Sequence, residues 1–265
     1  VTGVQTCALP IFSLPVFTNV AGTFTYTLQQ VQDSSPTGCS QFQTGTATVI
    51  VNPLPTATIA GDIDLCVGSS QPTITFTGAG GTSPYTFTYS INGGAVQTVT
   101  STGNTATVLA PTAVAGSYAY TLVSVQDAST TACSQLQTGT ATVNVNPVPT
   151  ATITGDAEVC IGASSPVITF TGSGGTAPYT FEYSIDNGPV QTVTSSGGNS
   201  ATILASTANT GTFTYDLISV TDGSATGCGQ AQSGTVTILV NPLPTATITG
   251  DAEVCRSEEH TSELQ

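Results

Sequence analysis

Short runs of alternating apolar and polar residues recur along the chain. Between residues 57 and 146 they read ATIA (57–60), PTITFTG (72–78), YTFTYSI (85–91), AVQTVT (95–100), TATVLA (105–110), SYAYTLVSV (117–125) and TATVNVN (140–146). A period of two is that of a half-buried strand, so seven short strands are predicted here. Ile74 and Phe76 fall on one face of their run and threonines on the other, while Tyr85, Phe87, Tyr89 and Ile91 share a face of theirs. Gly, Pro, Asn and Ser clusters between the runs read as turns. No apolar run approaches the ~20 residues of a membrane-spanning helix.

The same pattern returns at a fixed interval. PLPTATIAGDIDLC (53–66), PVPTATITGDAEVC (147–160) and PLPTATITGDAEVC (242–255) are copies whose first prolines lie 94 and then 95 residues apart. Cys39, Cys133 and Cys228 keep that spacing, as do Asp33, Asp127 and Asp222. Phe24, Tyr118 and Phe213 stand in register, each with a tyrosine (Tyr26, Tyr120, Tyr215) two residues on. The expected organisation is the back part of one repeat (12–54), two whole repeats (55–148 and 149–243) and the opening of another (244–255). The one-residue difference falls where STGNTAT (101–107) becomes SSGGNSAT (195–202), a Gly/Ser/Asn cluster in which a hairpin tip would accept insertion. Prolines in NPLPT and NPVPT mark the seams.

About seven strands per ~100 residues, with apolar inner faces, predict an all-β fold of tandem immunoglobulin-like β-sandwiches. The aromatic ladders are expected in the core, since large aromatics dominate cores. GGTSPYTFTYSINGG (80–94), AGTFTYTL (21–28) and SVQDASTTACS (124–134) resemble PKD-like and gliding-motility adhesin repeats of bacterial surface proteins. In that family a Gly-Gly-x-x-Pro-Tyr loop precedes a strand and an Asp-containing turn ending in Gly-Cys precedes the last one. Here the turn is longer: Asp-Ser-Ser-Pro-Thr-Gly-Cys (33–39), Asp-Ala-Ser-Thr-Thr-Ala-Cys (127–133) and Asp-Gly-Ser-Ala-Thr-Gly-Cys (222–228). The resemblance spans residues 13–255 and implies an extracellular tandem repeat of a long exported adhesin.

Composition narrows the chemistry once the two ends are considered. RSEEHTSELQ (256–265) holds the only Arg and the only His. One DNA encoding it is AGATCGGAAGAGCACACGTCTGAACTCCAG; its reverse complement, with a few bases added in front and read in a shifted frame, encodes VTGVQTCALPI, residues 1–11. That DNA resembles a common short-read sequencing adapter. Residues 1–11 and 256–265 are therefore expected to be translated adapter, to be set aside in fold reasoning, and the chain to be a fragment of a longer protein. What remains has no Lys, Arg or His; three of the fifteen acids lie in the tail, leaving twelve and a formal charge of −12. Such a chain is repelled by nucleic-acid phosphates and anionic membranes.

The six cysteines outside the ends are periodic. An early and a late cysteine mark each whole repeat: Cys66 with Cys133, and Cys160 with Cys228. Periodic cysteines in a secreted-looking chain suggest disulfides. Pairing within each repeat is the favoured expectation, pairing of neighbours such as Cys66 with Cys228 across a seam is the alternative, and buried free thiols are the bland reading. Cys39 and Cys255 lack in-repeat partners. A zinc site is poorly supported without His or a CxxC. Asp62 and Asp64, recurring as Asp156 with Glu158 and as Asp251 with Glu253, are acids at the seams; Asp62, Asp64, Asp156 and Glu158 are weak candidate calcium ligands. The competing reading makes them solvated turn acids capping backbone N–H groups.

Without imidazole, amine or guanidinium, general-base and Schiff-base chemistry have no carrier. A carboxylate pair for glycoside hydrolysis stays formally open, but the acids recur in every repeat, unlike an active site. The function expected is a non-catalytic extracellular stalk and adhesin. The alternative is a carbohydrate- or protein-binding module using exposed tyrosines or loops. Expected partners are neighbouring repeats and surface glycans or proteins. One consequence is directly measurable: after denaturation, trypsin should leave 12–255 intact, and any cut inside that span shows a misread residue.

Overall fold

The computed structural model describes residues 13–250; the adapter-like ends, Asp251, Glu253 and Cys255 lie outside the described residues. The chain divides into two compact units, Val1–Pro147 and Val148–Gln265.

The first unit opens with a hairpin, β1 (Gly22–Gln32) and β2 (Ser40–Val51), forming its own two-stranded sheet. Nine strands follow: β3 (Thr56–Ala60), β4 (Ile63–Cys66), β5 (Thr73–Ala79), β6 (Thr86–Ile91), β7 (Gln97–Thr100), β8 (Thr105–Leu109), β9 (Gly116–Gln126), β10 (Ser134–Leu136) and β11 (Thr140–Asn146). One sheet has the order β3-β5-β8; the other runs β4-β11-β9-β6-β7, with β10 on β9. All pairs are antiparallel except β4 with β11, which is parallel, Cys66 standing beside Asn146. The second unit repeats the plan in β12 (Thr150–Thr154), β13 (Ala157–Cys160), β14 (Val167–Ser173), β15 (Thr180–Ile185), β16 (Gln191–Thr194), β17 (Ser200–Leu204), β18 (Gly211–Thr221), β19 (Gly229–Ala231) and β20 (Thr235–Asn241), with the same two strand orders.

This is the all-β immunoglobulin-like sandwich that the alternation predicts, and each of the seven runs is a strand. Two further strands per repeat correct the expected number. β4 and β13 occupy what reads as an acidic turn, and the three-residue β10 and β19 are too short for a period to show. The insertion site also differs from expectation. β7 and β8 belong to different sheets, so residues 195–199 lengthen a connection between sheets instead of a hairpin tip.

The sheets are joined by aromatic rings. Phe76 of β5 stacks on Phe87 of β6 across the sandwich at 5.6 Å and meets Tyr89 at 5.0 Å; Phe170 does the same with Phe181 and Tyr183 at 5.6 and 5.1 Å. Ile74, Phe76, Phe87, Val125, Ala141 and Val143 are wholly buried, all on the inner face of their strands. In the hairpin β1–β2, by contrast, Leu28 is 47 % exposed, whereas its counterpart Leu122 in β9 is 1 % exposed.

One glycine per repeat is fixed by this packing. The Tyr85 ring lies flat over Gly78, where a Cβ would fall 2.5 Å from the ring; Tyr179 covers Gly172 at the same distance. The tyrosine hydroxyl then donates to a carbonyl three residues beyond that glycine, Tyr85 to Gly81 at 2.9 Å and Tyr179 to Gly175 at 2.8 Å. Rigid backbone and a wholly packed ring cannot both yield to a new methyl. Gly78→Ala should therefore destabilise the first unit by about 1–3 kcal/mol, read as a lower urea midpoint of the intact chain. Gly45→Ala, whose Cβ would meet nothing nearer than 4.0 Å, should leave it unchanged.

Candidate functional site

The turn before each late cysteine recurs with the same set of hydrogen bonds. In all three copies it reads Asp-x-Ser-x-Thr-x-Cys: Asp33, Ser35, Thr37, Cys39; Asp127, Ser129, Thr131, Cys133; Asp222, Ser224, Thr226, Cys228. The aspartate N–H donates to the cysteine carbonyl at 3.0, 2.9 and 2.9 Å, closing the turn. The residue before the cysteine is left-handed, with φ of 58° at Gly38, 49° at Ala132 and 59° at Gly227.

Every second side chain of the turn touches the next. The serine hydroxyl donates to the aspartate at 2.7, 2.7 and 2.6 Å, and stands 3.1, 3.2 and 3.1 Å from the threonine hydroxyl. The threonine hydroxyl in turn lies 3.5, 3.1 and 3.2 Å from the cysteine sulfur. A line of hydrogen bonds therefore runs from carboxylate to sulfur in each repeat. Sequence reasoning found the Asp and the Cys but missed the Ser and Thr between them. The signal was present as the same polar residue types at alternate positions in three copies.

In the whole repeats the aspartate also binds the Gly-Gly-Thr loop. Asp127 Oδ2 accepts from the Thr82 N–H at 3.0 Å, and Asp222 Oδ2 from the Thr176 N–H at 2.9 Å. Gly81 and Gly175 permit this approach, since a Cβ on either would lie 2.6 or 2.7 Å from the carboxylate. The two motifs that carry the family resemblance thus meet on one carboxylate. Asp127 is 4 % and Asp222 6 % exposed. Burial alone would push their carboxyls up, but the Ser129 or Ser224 hydroxyl, the Thr82 or Thr176 N–H and two further turn N–H groups hold both below the ordinary 3.8. At the exposed Asp33 the Ser35 hydroxyl and N–H lower the carboxyl in the same direction.

The turn also receives the end of the hairpin β1–β2. Asn52, which follows β2, donates its side-chain amide to Thr131 Oγ1 at 2.9 Å. This joins the hairpin β1–β2 to the first whole sandwich beside Cys133.

The cysteines depart from the favoured pairing. Cys39, Cys133 and Cys160 carry free thiols, while Cys66 and Cys228 are each disulfide-bonded, so neither Cys66–Cys133 nor Cys160–Cys228 forms. The reason is length. Cys66 lies beside Asn146, near the start of β9, and Cys133 follows its end. An 11-residue strand at ~3.4 Å per residue separates the two by roughly 35 Å, far beyond the ~7 Å between the Cα atoms of a disulfide. The reading of all thiols as buried and free fails as well, since two are bonded and Cys39 and Cys160 are exposed.

Each of the calcium candidates accepts a hydrogen bond from the last strand of its sandwich. Asp62 Oδ1 accepts from the Thr142 N–H at 2.7 Å and Asp64 Oδ1 from the Asn144 amide at 2.7 Å; Asp156 and Glu158 accept from the Thr237 N–H and the Asn241 amide at 2.7 and 2.6 Å. These acids fasten β4 and β13 to the last strand of their sandwich. Asp64 and Glu158 lie in strands, whereas Asp62 and Asp156 stand exposed just before them and each cap a backbone N–H, as the competing reading expects. Among the described residues no three His, Cys, Asp or Glu side chains gather into a metal site.

The tyrosines do not form an exposed platform. Tyr85, Tyr89, Tyr120, Tyr179, Tyr183 and Tyr215 are buried, and Tyr26 and Tyr118 half-buried. Burial pushes the Tyr89 and Tyr183 hydroxyls up.

No protein-family model and no curated protein matches the chain. Among solved structures it is similar to one described as "Ca2+-stabilized adhesin helps an Antarctic bacterium reach out and bind ice", at 18 % identity and a TM-score of 0.44, covering 84 % of this chain and 58 % of that one. It is also similar to a 1.5-MDa bacterial ice-binding adhesin (18 % identity, TM-score 0.40, 81 % and 74 % covered) and to fibronectin(III)-like modules of Clostridium thermocellum CbhA (16 % identity, TM-score 0.31, 73 % and 100 % covered). The β-sandwich assignment itself rests on the strand pairing of this chain.

The buried carboxylates set a pH dependence. A group lowered in the folded state contributes stability that is present above its unfolded value and lost as pH falls through its folded value. Thermal stability should hold steady down to about pH 4–5 and decline below the ordinary 3.8 of Asp127 and Asp222. Asp127→Asn should cost on the order of 1–2 kcal/mol at pH 7 and flatten the acid limb of the first unit. An unaltered acid limb in that variant counts against the role given to Asp127.

Proposed function

We propose that the chain is a non-catalytic stretch of a long extracellular bacterial surface protein, in which tandem PKD-like repeats act as stalk and adhesive array. On this reading 12–54 is the back of one repeat, 55–148 and 149–243 are whole repeats, and 244–255 opens another. The observation that carries it is the threefold recurrence of one turn, Asp-x-Ser-x-Thr-x-Cys, whose polar groups are spent on the turn, the loop beside it and the neighbouring repeat. Residues committed in this way in each copy hold a sandwich together and leave no group for chemistry on a substrate.

Composition supports the same reading. The strands carry Thr and Ser on their outward faces, as in Thr58, Thr77 and Thr105 side by side across one sheet. A chain with acids and no bases outside its ends stays soluble at high local density. No helix of the described residues is long and apolar enough to cross a membrane. The alternative, a ligand-binding module, loses its tyrosine platform to burial and keeps only its loops.

Binding of the intact chain to a glycan array separates the two. A purely structural stalk expects no saturable binding to any glycan. Saturable binding that is lost when the loop 80–84 is substituted would replace it with the module reading.

A further inference from the structure

We propose that each sandwich offers one open strand edge for antiparallel pairing with the same edge of a second copy of the chain. That edge is β8 in the first unit and β17 in the second. The pairing goes beyond the stalk reading and does not rest on it, because it depends on the strands alone.

The smaller sheet of each sandwich ends in β3 and β8, or in β12 and β17. The first of these edges is capped. The Ala57 N–H donates to Gln137 Oε1, and the Ala151 N–H to Gln232 Oε1, both at 3.1 Å. The second edge is bare. Next to β8, the Gly78 N–H donates to the Asn104 carbonyl at 2.8 Å, and the Ala110 N–H to the Pro72 carbonyl at 2.9 Å. Backbone groups alternate along an antiparallel ladder, so Ala106 and Val108 face β5. Thr107 and Leu109 therefore turn their N–H and C=O groups away from the sheet, and no strand among the described residues pairs with them. β17 is identical in plan: Gly172 donates to Asn199 and Ala205 to Pro166, at 2.8 and 2.9 Å, and Thr202 and Leu204 face outward.

Charge selects a second copy as the occupant. The chain has fifteen acids against one Arg and one His, so copies repel one another. The repulsion is not spread evenly. Asp64, Glu158, Glu182 and Asp216 all stand in strands of the larger sheets, whereas no strand of either smaller sheet holds a charged residue. β8 and β17 also lack proline, and an edge strand with neither charge nor proline is a template for pairing.

The register is self-complementary. A two-fold axis through Thr107 sets Thr107 against its own copy, Thr105 against Leu109, and Ala106 against Val108. The two smaller sheets then run on as one. Ala106 and the half-buried Val108 stay on the inner face, and Thr105 and Thr107 stay on the wet one. A slip of one residue would turn Val108 to water, so the hydrophobic pattern fixes the alignment. In β17 the axis passes through Thr202, with Ser200 against Leu204 and Ala201 against Ile203.

The test is sedimentation equilibrium of the intact chain, its free thiols alkylated beforehand, with hydrogen exchange followed at the same concentrations up to ~1 mM, the reach of weak encounters. The expected result is a mass that rises from monomer toward dimer, with slower exchange at the amides of 105–109 and 200–204 as it rises. Thr107→Pro combined with Thr202→Pro should abolish both effects. Proline there removes only the outward N–H, which edge strands accept, and an unchanged urea midpoint verifies the fold. If that midpoint falls, Thr107→Asp with Thr202→Asp decides, since both positions are exposed and like charges set opposite one another oppose pairing. A monomer at every concentration overturns the proposal. So does association without slowed exchange at these amides, or association that persists in the aspartate variant. The glycan array reads sugars and this experiment reads mass, so either reading can fail without the other.

Discussion

Asp127 and Asp222 are buried carboxylates in a protein whose described part contains no cation. An unpaired buried charge is normally expelled by neutralisation. Here N–H and O–H groups alone keep it ionised, and those donors come from two separate places, the Gly-Gly-Thr loop and the turn that follows β9 or β18. The carboxylate therefore determines where both segments lie. Gly81 is small because the carboxylate approaches it, and Tyr85 caps the same loop by donating to the Gly81 carbonyl. Ser129 is held by the aspartate, Thr131 by Ser129, and the cysteine sulfur by Thr131. Removing one charge loosens a whole end of the sandwich.

The rest of the stability is apolar and backbone in origin. Each sandwich is closed by rings stacked between its sheets, and among the described residues no buried side-chain nitrogen or oxygen lacks a partner. Side-chain ion pairs have no basic member to form with outside the ends. Cross-sheet order comes instead from neutral contacts such as Gln137 accepting from the Ala57 N–H and Gln232 from the Ala151 N–H, both at 3.1 Å.

The sandwich was legible because alternation is a local property. Ile74 and Phe76, or Tyr85, Phe87 and Tyr89, announce their shared face within a few residues. β4 was not legible for the opposite reason. Its four residues interleave Asp64 with Ile63 and Leu65, and it exists through a parallel pairing with a strand some eighty residues away, stitched by Asp62 and Asp64 to Thr142 and Asn144. The same acids look like ligands or turn caps in isolation because their acceptor role is filled by distant partners. The cysteines are intermediate. Their periodicity was plain, but the choice among partners depends on which end of β9 each one occupies, a fact of topology and not of spacing.

The parallel strand at the sheet edge has a consequence for assembly. Neighbouring sandwiches of almost the same sequence are prone to exchange strands or to pair edge to edge while folding. β4 and β13 close one edge of the larger sheet with only four residues, flanked or occupied by Asp62, Asp64, Asp156 and Glu158. So short and so negative a border offers a poor template for a foreign strand. The acids that fasten this strand to its own repeat also discourage the adjoining repeat from borrowing it.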